Sequence, residues 1–68
     1  MTDKYLLQRF AHRAGYNQES LAKAVKISYT SYSMKANNKS DFRLSEVKRI
    51  CEKLGLTAEE RDMVFFAE

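Results

Sequence analysis

The sequence predicts an all-α fold, a compact bundle of five short helices. Three observations point there. The 68 residues include no proline and two glycines, so little interrupts regular structure. Apolar residues recur at the i, i+3, i+4, i+7 spacing of one helix face, as in Leu7, Phe10, Ala11 and Ala14. Helix-start residues (Asn17, Ser28, Thr57) and helix-stop glycines (Gly15, Gly55) bracket the apolar stretches. A chain of 7.9 kDa has room for one domain, residues 1–68, around one thin core.

Each element has its own justification. Thr2 or Asp3 can cap a first helix whose Leu7–Ala14 stripe is widened by Leu6, and Gly15 ends it where a positive φ costs glycine nothing. Tyr5, Phe10 and Tyr16 read as core or half-buried packing residues. Asn17 caps a second helix, Glu19 adds charge that suits its first turn, and Leu21, Ala22 and Val25 form its buried side. The small Ala22 allows another helix to cross closely. Lys26-Ile27-Ser28 is the turn, with Ile27 as apolar plug and Ser28 as the next cap.

The third helix, Tyr29 to Ala36, is poor in intrinsic helix formers, so tertiary contacts must hold it. On a helix, Tyr32 and Ala36 share the inner side, while Tyr29, Thr30, Ser33 and Met34 share the outer one. Asn37 to Asp41 is turn chemistry, and Phe42 and Leu44 lead into a fourth helix with Val47, Ile50, Cys51 and Leu54 inside. Gly55 ends that helix. Thr57-Ala58-Glu59-Glu60 is a capping box opening a fifth, and Met63 to Phe66 cannot all face one small core. Part of that cluster is expected to cover the first helix or to form a dimer surface.

Charge is distributed unevenly. The formal net charge is +3, yet between Ser20 and Ser40 there are four lysines (Lys23, Lys26, Lys35, Lys39) and no carboxylate. Arg61 is the only base after Lys53, against Glu59, Glu60, Asp62 and Glu68, so the tail is acidic. A single cysteine, Cys51, excludes an intrachain disulfide and reads as a small core residue. No apolar run approaches the ~20 residues needed to span a bilayer, and no signal peptide is evident, so a cytoplasmic, nucleoid-associated location is expected. His12 has no Cys/His cluster around it and reads as a solvent-side residue, not a metal ligand. Lys48, Arg49 and Lys53 read as a solvated helix face. No Ser/His/acid spacing, phosphate-cradling glycine loop or carboxylate pair suggests an enzyme, and no cofactor is expected.

Two helices joined by a short turn, the second polar and surrounded by lysine, have the geometry of a helix-turn-helix. A helix entering the major groove needs side chains that hydrogen-bond base edges or touch the thymine methyl. The hydroxyls of Ser28, Thr30 and Ser33, with Met34 and the Tyr29 ring, meet that need. Lys39 and the turn amides of Asn37 and Asn38 suit the phosphate backbone.

Gly15-Tyr16-Asn17-Gln18-Glu19-Ser20-Leu21-Ala22, Ile27-Ser28 and Asn37-Asn38-Lys39 resemble the Cro/repressor-type helix-turn-helix domains of phages and bacteria. The stretch from Ser40 onward is similar to the tail of small temperate-phage switch proteins of Gram-positive hosts. The resemblance implies a helix-turn-helix from helices two and three that docks on a double-stranded DNA operator. By position it implies that Gln18 contacts phosphate and braces the first residue of the recognition helix. Tyr29, Thr30 and Ser33 would face bases, and Asn37 would bind phosphate. It also implies a Cro-like transcriptional regulator. Lys26 and Asn38 stand where relatives often have glycine, which puts a residue with a β-carbon at positive φ in the turn. Lys35 and Ala36 replace larger apolar residues. A second reading from a different class is an anti-repressor that binds a partner repressor protein through the tyrosine-bearing third helix. A homodimer through the C-terminal helix is a further expectation, drawn from Val64, Phe65 and Phe66.

Overall fold

The computed structural model describes residues 1–67; Glu68, the last acid of the tail, lies outside them. Five helices follow one another: α1 (Lys4–Arg13), α2 (Gln18–Ala24), α3 (Tyr29–Ala36), α4 (Leu44–Leu54) and α5 (Ala58–Phe65). No strand occurs among the described residues.

Local chemistry starts each helix. Asp3, not Thr2, caps α1 by accepting from the Leu6 amide at 3.1 Å. Asn17 accepts from the Ser20 amide at 2.7 Å, and Ser20 Oγ accepts from the Asn17 amide at 2.9 Å, so the reciprocal partner is Ser20. Ser28 accepts from the Ser31 amide at 3.2 Å, and Thr57 and Glu60 form the expected box. At the start of α4 the Glu46 carboxylate reaches back to the Arg43 amide at 2.8 Å.

Four helices end alike. At Gly15, Lys26, Asn38 and Gly55 φ is 86°, 62°, 63° and 65°. The next residue then donates its amide five residues back: Tyr16 to Ala11, Ile27 to Ala22, Lys39 to Met34 and Leu56 to Cys51, at 2.9 to 3.0 Å. Such an ending usually brings an apolar contact from the donating residue. Ile27 lies in the core, and Tyr16 and Leu56 pack against it. The fourth, Lys39, is exposed.

The core gathers Leu7 and Ala11 of α1, Leu21 and Ala22 of α2, Tyr32 of α3, Ile50 of α4 and Val64 and Phe65 of α5. Edge-to-face contacts run from Tyr32 to Phe42 (5.8 Å between centroids) and on to Phe65 (5.5 Å), so one aromatic chain joins α3 to α5. The terminal cluster divides as its length requires: Val64 and Phe65 are inside, Met63 and Phe66 outside. α5 packs on both α1 and α4.

Two expectations about α1 are corrected. Ala14 is exposed, because the helix ends at Arg13 and Ala14 is already its cap. Tyr5 is 74 % exposed: it lies two residues from Leu7, roughly opposite the buried stripe, with the Lys4 ammonium 5.2 Å from its ring centroid. Being aromatic did not make it core.

The two ends of the chain are tied to the body. The Asp3 amide donates to the Val64 carbonyl at 2.7 Å, and the Ala67 amide to the Met1 carbonyl at 3.1 Å. The Asn38 side chain clamps Thr2 twice, accepting from its amide at 2.8 Å and donating to its carbonyl at 2.9 Å. No helix is long and apolar enough to cross a membrane among the described residues.

Candidate nucleic-acid interface

The turn between α2 and α3 is Val25–Ser28, with Ile27 and Val25 buried and Lys26 exposed at positive φ. Ala22 is 1 % exposed, and its small side chain suits the close packing of α2 on its neighbours, α3 among them. Tyr32 and Ala36 bury the inner side of α3, and burial pushes the Tyr32 phenol up to about 12, so it is neutral. The opposite side is set by helical geometry. Tyr29 (47 % exposed), Thr30 and Met34 (44 %) stand outside, with Ser33 half-buried beside them. Ser28 is exposed at the start of this face, its hydroxyl engaged as the cap. Lys23, Lys26 and Lys39 are exposed around it.

Lys39 has a structural argument of its own. The residue at its place in the other three helix endings turns inward. Lys39 breaks that pattern and gives up an apolar contact, leaving a cation at the C-terminal end of α3.

The fourth lysine of the acid-free segment is not part of this surface. Lys35 Nζ meets both Glu46 oxygens, at 2.7 and 2.9 Å, and the two side chains are 12 % and 9 % exposed. Burial would raise the Glu46 carboxyl, but the Lys35 hydrogen bond and the Arg43 amide outweigh it and hold it below the usual carboxylate range. The pair ties α3 to the start of α4. Lys35 is thus an internal ion-pair partner, and the positive charge of the segment is smaller than its lysine count.

The turn amides are a second correction. Those of Asn37 and Asn38 donate to the carbonyls of Ser33 (3.0 Å) and Lys35 (3.1 Å), so neither is available to phosphate. The Asn37 side chain donates to the Ser33 carbonyl at 2.7 Å and accepts from Lys4 Nζ at 2.9 Å. Asn38 holds Thr2. Gln18, at the first position of α2, is half-buried, and no hydrogen bond joins it to Tyr29 among the described residues. His12 is exposed and Cys51 half-buried, its thiol pushed up by burial. No cluster of three or more His, Cys, Asp or Glu able to hold a metal occurs among the described residues.

The helix-turn-helix family model of the Cro/C1 type matches residues 7–61, from the first core leucine of α1 into α5. The chain belongs to the helix-turn-helix family. That family consists of DNA-binding regulators and not of enzymes, and α2 and α3 form the motif. This helix-turn-helix protein is therefore a DNA-binding transcription regulator. No curated protein matches the chain.

Two residues that hold α3 from outside the helix-turn-helix are not evident from residue order. Lys4 reaches the end of α3 from 33 residues away, and no local pattern signals that. Glu46 had a signal: it stands four residues before Ile50, on the buried stripe of α4, where an acid needs a partner.

Proposed function

We propose that the chain is a sequence-specific, Cro-like switch regulator that occupies an operator by placing α3 in the major groove. One observation carries this reading: the outer side of α3 displays Tyr29, Thr30, Ser33 and Met34, without a carboxylate, between the exposed cations Lys26 and Lys39. Thr30 and Ser33 hydroxyls serve base edges, and the Met34 and Tyr29 surfaces serve a thymine methyl. Lys26 and Lys39 bind phosphate, with Gln18 at the start of α2. Ser28 holds the first turn of α3 in shape. Residues 1–68 act as one domain, and a two-fold dimer would place half-sites about 34 Å apart. Resemblance to temperate-phage switch proteins supports a phage origin and a cytoplasmic, nucleoid-associated site of action. Selection from a randomised duplex pool, followed by mobility shift, tests the proposal. One enriched motif is the expected outcome, and a pool without enrichment would sink it.

A second reading has its own support. Tyr29 and Met34 are exposed on α3, and tyrosine and methionine are enriched where proteins meet, which suits a protein partner. In that reading the chain is an anti-repressor. Mixing it with a repressor from its own genomic neighbourhood, once one is found, and weighing the complex without DNA discriminates the two; a lone monomer or dimer peak rejects the anti-repressor role.

A further inference from the structure

The polar row on the outer side of α3 does not stop at its last residue. Asn37 turns its amide back along the helix, donating to the Ser33 carbonyl at 2.7 Å and approaching Ser33 Oγ at 3.4 Å. On its other side it accepts from Lys4 Nζ at 2.9 Å. Thr30, Ser33, Asn37 and the Lys4 ammonium are consecutive neighbours, and the last belongs to α1. Two more contacts fix that ammonium's place. It lies 5.2 Å from the centroid of the Tyr5 ring, and the backbone leading to it is clamped through Thr2 by Asn38.

An ammonium has three hydrogens to donate. One goes to Asn37, which leaves two for oxygens of a neighbouring anion. No ion pair engages Lys4 among the described residues, in contrast to Lys35, whose charge is spent inside.

We infer that Lys4 is a phosphate-contacting residue of the DNA interface, held at the C-terminal end of α3 by Asn37 and Tyr5. Asn37 has both ends of its amide engaged, and its part is to position that cation. The inference rests on the proposed docking of α3 on duplex DNA, and it gives α1 a share of the contact.

The test titrates the wild-type chain, K4A, K4R, N37A and K39A against one selected duplex of about 20 bp. Salt runs from about 50 to 200 mM, and thermal midpoints are recorded alongside. Losing one phosphate contact should weaken K4A roughly fivefold to tenfold near 0.1 M salt and lower its log–log salt slope by about one. Its sequence preference and thermal midpoint should match the wild type. K4R should keep the slope, and N37A should fall between wild type and K4A. A K4A chain with wild-type affinity and slope, while K39A shows the loss, overturns this inference and leaves α3 docking intact. So does a K4A loss that tracks a lowered midpoint and is not rescued by K4R. A wild-type chain that binds no duplex at any salt overturns both.

Discussion

Lys26 bears a backbone cost that Gly15 and Gly55 do not. Its φ of 62° is positive like theirs, but its β-carbon is crowded in the left-handed region, at about 1–2 kcal/mol. Asn38 shares the conformation with less strain, because asparagine tolerates it, and its amide is engaged by Thr2. Lys26→Gly should therefore raise the free energy of unfolding by about 1 kcal/mol, while Lys26→Ala gains nothing. Urea melts that rank the two equally would remove strain from the account. The outer face of α3 separates base readers from phosphate binders. Thr30→Ala should relax preference at one base position, whereas Lys39→Ala should weaken all sequences alike. Binding to single-base variants of a selected site checks both.

At the scale of elements, the Lys35–Glu46 pair joins α3 to α4, with little solvent to rescue either charge alone. Lys35→Met should destabilise by about 3 kcal/mol, because it strands a carboxylate. Adding Glu46→Gln removes the charge, keeps an acceptor for the Arg43 amide and should recover most of the loss. Denaturation midpoints decide: a double variant no better than the single one would mean that the pair's charge is not the issue. Helix boundaries were legible in the order of residues because caps and stops are local, as at Asn17, Ser28, Gly55 and Thr57. So was the outer side of α3, since periodicity placed Tyr32 inside and Thr30 outside. What residue order hid were pairings across distance, Lys35 with Glu46, Lys4 with Asn37 and Thr2 with Asn38, which are 11, 33 and 36 residues apart. A lysine read alone looks solvated, and an aromatic such as Tyr5 looks buried; only packing says otherwise.

Over the whole molecule, a second charged tie joins α1 to α5: Arg13 donates twice to Glu60, at 2.9 and 3.2 Å. The Arg13 hydrogen bond, with the Thr57 amide behind it, holds the Glu60 carboxyl down at about 2, and Glu46 is lowered as well. Both acids bind a proton more weakly in the folded chain than at their ordinary value of 4.5. Their contribution is complete above that value and is lost as pH falls below it, for Glu60 towards about 2. Thermal midpoints should drop through that window, and Glu60→Gln should flatten the drop; an unchanged profile would argue that this tie is idle. The backbone bond from Ala67 to Met1 has a consequence for topology. The first and last described residues meet, so the path of the chain is almost a closed ring. A few-residue bridge across that gap should permit new ends to be opened between the exposed Ser40 and Asp41. Such a circular permutant would keep all five helices while reversing which of them are made first.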